Sequence, residues 1–175
     1  IFTQICKATH EDGSLLTDDE IVDHMNFLMM AAHDTITSSV TSMVMLLGKH
    51  PEWQDKLRAE MDGMGVNGDD LPYDRLDELV LTDCAFKEAM RLIPPVPSIP
   101  RRAVKAFDFG GYHIPAGTFV SVSPSHVHKM EEYWPDPDRF DPLRHTAEEV
   151  RGRHKYAFVP FGGGAHMCLG LHFAN

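Results

Sequence analysis

The sequence has few cysteines, only three in 175 residues, and they stand far apart at Cys6, Cys84 and Cys168. Small secreted domains that depend on disulfides carry many more, so this spacing argues against a disulfide framework and favours a reducing compartment. Positive charge is also scarce, because 26 acidic residues outnumber 16 basic ones and leave a formal net charge of -10. Such an acidic chain is a poor candidate for binding nucleic acid.

Long apolar runs are missing too. No uninterrupted stretch is long enough to span a membrane, and no signal peptide is recognisable. A cytoplasmic location is expected from the few, widely spaced cysteines. The chain begins at Ile1 rather than at methionine and stops at Asn175, inside an expected helix, so both ends are interpreted as cut. A membrane anchor in the uncut protein therefore stays open. With 43% hydrophobic residues, the length suits one sizeable core.

A glycine-rich stretch near the end of the chain, residues 160–170, surrounds one of the cysteines. Its sequence is Pro-Phe-Gly-Gly-Gly-Ala-His-Met-Cys-Leu-Gly, and a short apolar segment that begins a helix follows it. Consecutive glycines permit a tight turn that side chains would block. Backbone N–H groups and a nearby helix N-terminus stabilise the negatively charged thiolate form of a cysteine. Cys168 is therefore in a position that suits a metal ligand or a nucleophile.

Several interpretations compete for this stretch. A dinucleotide-binding loop is excluded because Met167 stands where the third glycine is required, and a P-loop because no Lys-Ser/Thr pair follows. Zinc binding by His166, Cys168 and His172 stays open, although no second Cys/His pair with finger spacing occurs. A cysteine nucleophile would need a base, for which His166 is close in sequence. A buried structural cysteine beside a turn is the simplest alternative.

The complete pattern, Phe161-x-x-Gly164-x-His166-x-Cys168-x-Gly170, resembles the haem-binding loop of the cytochrome P450 family. The resemblance implies haem b as the cofactor, with the Cys168 thiolate as the axial ligand of its iron. It further implies that Phe161 packs near this ligand and that Gly164 belongs to the cofactor-binding loop. His166, where arginine is the usual residue, would donate to a haem propionate, and Gly170 would let the following helix lie against the porphyrin.

A long helix is predicted over residues 17–48, and it begins with a capping box in which Thr17 is the N-cap and Glu20 its partner. The middle of this mostly apolar helix carries Ala-Ala-His-Asp-Thr at 31–35. A charge there needs a purpose or a partner. Without further context, the simpler explanation is a solvated face with threonines that bond back to the preceding turn.

The same five residues resemble the Ala/Gly-Gly-x-Asp/Glu-Thr segment of the P450 family, in the helix that crosses the distal face of the haem. The resemblance implies that Asp34 and Thr35 order water and pass protons toward the oxygen that is reduced at the haem. Ala32 would line the oxygen-binding groove of this helix, at a position where glycine is commoner in the family. Its methyl group would narrow the groove.

A second helix is predicted over residues 80–92, where Glu88 and Arg91 lie on one face at i and i+3. On its own, such a pair is more often a surface ion pair. It resembles the Glu-x-x-Arg helix of the P450 family, whose partner arginine is expected in a later Pro-x-Arg-Phe segment. Residues 137–140 read Pro-Asp-Arg-Phe, so Arg139 is expected to join Glu88 and Arg91 in a structural clamp beneath the haem.

A region of short strands is predicted over residues 98–122, after a run of prolines that ends helical structure. The predicted strands are 98–104, 107–109, 112–114 and 119–122. Alternation puts Arg101 and Arg102 on opposite faces, and both would be solvated without further context. The family resemblance implies instead that Arg101 faces the haem and grips a propionate.

Three other segments have local interpretations. Residues 62–72 contain three glycines and are predicted to form a loop. His126 and His128 are interpreted as surface or helix-end histidines. The basic run 151–155 is either a solvated loop or a patch for an acidic electron donor.

Four signatures of the P450 family thus occur in the expected order and cover essentially the whole chain. They imply a mainly α fold with a small β region, the C-terminal portion, residues 1–175, of a single P450 domain. The implied activity inserts one atom of O2 into a C–H bond of a small hydrophobic substrate, a sterol or another lipid being one candidate. A ferredoxin or a flavoprotein reductase would supply the electrons. A non-catalytic haem-thiolate sensor or ligand-binding protein is the alternative, and the isolated chain is expected to be inactive.

Overall fold

The computed structural model describes residues 1–65 and 70–174, and it divides into two units, Ile1–Ser38 and Ser39–Asn175. The loop predicted over 62–72 therefore lies in part outside the described residues, as does the last residue of the chain. Within the described residues, no helix is both long enough and apolar enough to cross a membrane.

The first unit contains helix α1, Phe2–Ile5, and the first part of helix α2, which spans Asp18–Lys49 and continues into the second unit. The capping box expected at its start is present. The Glu20 N–H donates to Thr17 Oγ1 at 3.3 Å, and the Thr17 N–H donates to Glu20 Oε2 at 2.8 Å. Two amides that would lack partners at the helix start are thereby satisfied, which fixes where α2 begins.

Two helices, α3 at Pro51–Gly63 and α4 at Val80–Leu92, supply much of the core of the second unit. The buried core cluster consists of Leu46, Trp53, Ala85, Ala89 and Phe140. The Trp53 ring meets the Phe140 ring edge-on, with 6.4 Å between the centroids. Small alanines on α4 face these rings, so the helix can approach closely.

The start of α4 is capped from outside the helix. Both carboxylate oxygens of Glu60, on α3, accept hydrogen bonds: Oε1 from the Leu81 N–H at 2.6 Å and Oε2 from the Thr82 N–H at 2.9 Å. A negative charge at a helix N-terminus is also favourable to the helix dipole. The carboxylate therefore ties α3 to the beginning of α4.

Four short strands follow α4 in the described part of the chain: β1 Ile99–Arg102, β2 Phe107–Phe109, β3 Tyr112–Ile114 and β4 Phe119–Val122. They form two antiparallel pairs, β1 with β4 and β2 with β3. Gly110 and Gly111 join β2 to β3 with φ angles of 56° and 83°, as a two-residue hairpin requires. β1 is shorter than the predicted strand over 98–104, while the other three have the predicted bounds.

The remaining elements of the second unit are short. Helices α5, α6 and α7 span Pro124–Val127, Ala147–Gly152 and Leu171–Ala174, and 3₁₀ turns lie at Tyr73–Glu78, Pro142–His145 and Gly164–His166. Helices dominate and the sheets are small. The predicted fold class, mainly α with a small β region, is confirmed.

Candidate functional site

The glycine-rich loop turns because two of its glycines have left-handed backbone conformations. Gly162 and Gly164 have φ angles of 73° and 74°, whereas Gly163 between them is extended at −170°. The Cys168 N–H donates to the Phe161 carbonyl at 3.0 Å and closes the loop. The cysteine is exposed and stands just before α7. Its exposure excludes the buried structural thiol considered from the sequence.

The surroundings of Cys168 fit the axial ligand of a haem. The thiol is free, and a Cβ built at Gly170 would lie 3.8 Å from its Sγ, so the glycine keeps this side of the thiol open. Leu169 and Phe173 beside it are 88% and 84% exposed, which offers apolar surface to a porphyrin. Across the described residues, no three His, Cys, Asp or Glu side chains are grouped to hold a metal ion. A lone soft donor suits haem iron better than zinc.

Strand β1 lies against this loop. The Cδ1 atom of Ile99 is 3.6 Å from the position that a Cβ at Gly162 would take. Arg101 on the same strand is exposed, and its Nη1 donates to the carbonyl of Pro100 at 2.8 Å. His166 ends the 3₁₀ turn of the loop and is also exposed. The two predicted propionate donors thus belong to neighbouring elements, and both are accessible to an anionic group.

The loop conformation itself can be tested by substitution. Gly162→Ala is expected to lower the free energy of unfolding by about 1–2 kcal/mol, because a Cβ disfavours the left-handed backbone. Gly163→Ala is the matched control, since its extended backbone accepts any residue and its Cβ would meet Tyr156 at an ordinary 3.5 Å. Denaturant unfolding of the full-length protein measures both. Equal losses in the two variants would contradict this account.

The guanidinium of Arg91 is buried and uses every one of its N–H donors. Nε and Nη2 donate to the two carboxylate oxygens of Glu88, at 2.7 and 2.9 Å. The remaining hydrogen bonds go to the backbone carbonyls of His128, Pro137 and Arg139, at 2.8, 2.7 and 3.2 Å. One side chain on α4 thereby holds two later segments of the chain in place.

The carboxylate of Glu88 is saturated as well. Besides the bonds from Arg91, it accepts from the Asp141 N–H at 2.9 Å and from His145 Nε2 at 3.0 Å. Arg144 Nε lies 3.5 Å from its Oε1. Burial would raise the pKa of Glu88, but the hydrogen bonds from Arg91 and His145 outweigh burial and lower the pKa below its usual value. Glu88, Arg91, Arg144 and His145 are called the Glu88 clamp below.

The assignment of Arg139 as the third side chain of the clamp is wrong. Its Nη2 pairs with Asp141 Oδ2 at 2.8 Å, and its side chain is 61% exposed. Arg139 contributes only its backbone carbonyl, while Arg144 and His145 supply the side chains at Glu88. The sequence carries the signal twice, because a second Pro-x-Arg stretch begins at Pro142. Only the three-dimensional contact distinguishes the two.

His128 lies at the end of α5, which is one of its two predicted positions, and the other alternative, a surface residue, is wrong. His128 is fully buried, and its Nε2 accepts a hydrogen bond from the Val159 N–H at 2.9 Å. Burial lowers the pKa of His128 to about 4, and nearby backbone groups of Arg91 and Met90 offset only part of this effect. The ring is therefore neutral at neutral pH. His126 is exposed, as expected.

The basic run at 151–155 contains one side chain packed against the protein and others exposed to solvent. Arg153 stacks over the ring of Trp134, with 3.8 Å to the centroid, and its Nη2 donates to the carbonyl of Arg144 at 2.8 Å. Burial lowers the pKa of Arg153. Arg151 and Lys155 are exposed. Arg153 is thus a packing residue, and only part of the run faces solvent.

The predicted distal residues, Ala32, Asp34 and Thr35, belong to the first unit. Thr35 Oγ1 donates to the carbonyl of Ala31 at 2.7 Å, which is a bond back to the preceding turn. His33 Nδ1 lies 3.0 Å from Asp34 Oδ1, and both side chains are exposed. Ala32, which directly precedes His33, is also exposed. The middle of α2 therefore presents a carboxylate and a hydroxyl in succession.

Comparison with known proteins decides the family. A family model described as Cytochrome P450 matches residues 1–175. The chain belongs to the cytochrome P450 family. Members of this family carry haem b as their cofactor. A putative cytochrome P450 136 of Mycobacterium tuberculosis is 42% identical over 174 residues, which are 99% of this chain and 35% of that protein.

Other members of the P450 family show the same partial coverage. A taurochenodeoxycholic 6 alpha-hydroxylase of Sus scrofa is 36% identical over 168 residues, 95% of this chain and 33% of the relative. The structure of the retinoic acid-bound cyanobacterial P450 CYP120A1 aligns with a TM-score of 0.93 at 33% identity and covers 99% of this chain and 40% of its own. The chain thus spans 35% of the first of these curated relatives and 33% of the second.

Proposed function

We propose that the full-length protein is a haem-dependent monooxygenase that inserts one atom of O2 into a C–H bond of a small hydrophobic substrate. The observation that carries this proposal is the exposed Cys168 thiol at the end of a closed glycine loop, in a chain of the P450 family. Haem b, when bound, supplies the reduction of O2 and the oxidation of the substrate. The thiolate of Cys168 would donate electron density to the iron of this cofactor.

The roles of the loop residues follow from their positions. Cys168 would hold the haem iron through its thiolate, and Gly170 leaves room beside its Sγ. Phe161 holds the ligand in place, because its carbonyl accepts the Cys168 N–H. Gly164 provides the left-handed turn that brings the two together. The other three residues thus position the sulfur atom of Cys168.

Two basic side chains serve the acidic edge of the cofactor in this proposal. Arg101 and His166 are exposed and lie on neighbouring elements, β1 and the glycine loop. A haem propionate is an anion that a guanidinium can bind through two parallel hydrogen bonds. The imidazole adds a further donor when it carries its proton on the nitrogen that faces the propionate.

Asp34 and Thr35 are proposed to supply protons. A threonine hydroxyl can donate one hydrogen bond and also accept from water, and the hydroxyl of Thr35 donates to the Ala31 carbonyl. The Asp34 carboxylate, beside His33, can take a proton from solvent and pass it on through such water. Ala32 is proposed to line the oxygen-binding groove next to these two residues.

The proton supply can be tested by measuring coupling. Asp34→Ala and Thr35→Ala are each expected to lower product per O2 consumed by roughly tenfold to a hundredfold, because general acid catalysis contributes at least that much. Oxygen uptake, donor oxidation and product are measured together in the full-length protein. Asp23→Ala, at another exposed acid of α2, is the control. Coupling in the variants equal to that of the wild type would remove the proton-supply role, whereas a wild-type protein that forms no product would favour the non-catalytic haem-thiolate alternative.

Electron donor, substrate class and location complete the proposal. The donor is a ferredoxin or a flavoprotein reductase, and the exposed Arg151 and Lys155 offer positive charge to an acidic partner. A sterol or another lipid is the substrate class we favour, because one related protein is named a taurochenodeoxycholic 6 alpha-hydroxylase and the structure of another has retinoic acid bound. All three cysteines are free, which fits the cytoplasm.

A further inference from the structure

One buried histidine connects the cysteine loop to helix α4, which carries Glu88 and Arg91 of the Glu88 clamp. His128 directly follows α5, and none of its surface is exposed. Its ring atom Nε2 accepts from the Val159 N–H at 2.9 Å, and its backbone carbonyl accepts from Arg91 Nη1 at 2.8 Å. Val159 immediately precedes Pro160 and Phe161, the first residues of the loop. The same residue thus contacts both the clamp and the entrance of the loop.

The contacts of the ring determine its protonation. Since Nε2 accepts a hydrogen bond, the neutral ring carries its proton on Nδ1. Nδ1 has no hydrogen-bond partner among the described residues. An unsatisfied buried polar atom costs free energy, which a phenylalanine at the same place would avoid. The acceptor at Nε2 therefore distinguishes histidine from a purely apolar side chain at this position.

The neighbours of the ring hold it in one orientation. The centroid of the Phe158 ring lies 5.2 Å from that of the His128 ring and 4.8 Å from that of the His145 ring. Burial is the main reason that the pKa of His128 is low, and the nearby Arg91 and His145 lower it further. His128 is therefore a neutral acceptor in a fixed place, and no general acid or base in the proposed reaction.

We propose that His128 is a positioning residue for the haem thiolate, which fixes the distance between Arg91 and the cysteine loop through its Nε2 acceptor. The proposal rests on the proposed function. The connection is a series of hydrogen bonds: Arg91 to the His128 carbonyl, the Val159 N–H to the ring, and the Cys168 N–H to the Phe161 carbonyl. Loss of the middle bond frees the loop entrance while the clamp and the cysteine stay chemically intact.

Substitutions can separate the acceptor atom from the packing of the ring. His128→Gln and His128→Asn carry the same amide, but only the longer glutamine places an oxygen where Nε2 lies. His128→Phe keeps a ring against Phe158 and lacks the acceptor. His126→Gln, at the exposed histidine of α5, is the control.

The readouts are ligation of the iron and exchange of the loop amides in the full-length haem protein. In His128→Asn and His128→Phe we expect a smaller fraction of the thiolate-type carbon monoxide Soret band. We also expect amides of residues 158–169 to exchange hydrogen roughly tenfold faster, because one hydrogen bond is lost and its buried donor is unpaired. His128→Gln and His126→Gln should keep both properties of the wild type.

Three outcomes would count against these ideas in different ways. A wild-type Soret band and slow loop exchange in His128→Asn and His128→Phe, with lower thermal stability alone, would make His128 only a packing residue. Failure of all three His128 variants to fold, glutamine included, would also overturn the proposal, because the ring rather than its acceptor would then matter. A wild-type protein without a thiolate-type band would contradict the proposed function instead, and the exchange measurement would still test the link from His128 to the loop.

Discussion

Cys168→Ala is expected to abolish the thiolate-type Soret shift that carbon monoxide gives with the reduced full-length protein, and all O2-dependent product formation with it. The reason is that the loop over residues 160–170 contains no second cysteine, and Cys84 is buried on α4. An alanine methyl group cannot donate electron density to the iron. The measurement is the difference spectrum at matched haem content, followed by product analysis.

Two further variants make this result specific to the thiolate. Cys168→Ser keeps a side chain of similar size but offers no soft thiolate, so it should lose the shift as well. Cys6→Ala replaces another exposed cysteine and should change neither the spectrum nor the activity. A persistent thiolate-type band in Cys168→Ser would falsify the assignment of the axial ligand.

Glu88→Gln is expected to lower the free energy of unfolding by about 3–5 kcal/mol, because it breaks a buried ion pair and leaves charge uncompensated. The carboxylate and its partner Arg91 are both 0% exposed. His145 would lose its charged acceptor, and Arg144 would lose its ion pair with the carboxylate. A loss of this size is a large part of the 5–15 kcal/mol that typically stabilises a protein. Urea unfolding and the yield of soluble protein measure it.

The control for this variant also separates the two candidate clamp arginines. Arg139→Ala should cost no more than about 1 kcal/mol, since its guanidinium makes a largely exposed pair with Asp141. Arg144→Ala should cost clearly more, because its side chain is almost fully buried beside Glu88. The reverse order of the two losses would restore Arg139 as the third side chain of the clamp.

The sequence predicted those elements whose causes are local. The start of α2 depends on Thr17 and Glu20, which are three residues apart, and both sit in the expected hydrogen bonds. The hairpin between β2 and β3 depends on two adjacent glycines. Helix α4 has the predicted bounds, 80–92, because an apolar amphipathic segment stops where prolines begin. In each case the deciding residues are neighbours in the chain.

Contacts between distant residues could not be predicted in this way. His128 accepts from a residue 31 positions later, and nothing near it in the sequence indicates burial. The choice between Arg139 and Arg144 depends on a carboxylate more than 50 positions earlier, Glu88, whose bond to the Asp141 N–H spans 53. For the candidate site, family resemblance indicated Cys168, whereas the approach of β1 to the loop emerged only from the structure.

The Glu88 clamp also sets an order in time when the protein is synthesised. Its carboxylate and His145 are 57 positions apart, so at about 5–20 residues per second the histidine follows roughly 3–11 s after Glu88. During that interval Glu88 and Arg91 can satisfy each other only in part, and water must serve their remaining bonds. The cysteine loop emerges later still. The proposed haem-binding loop is therefore synthesised after all four residues of the Glu88 clamp.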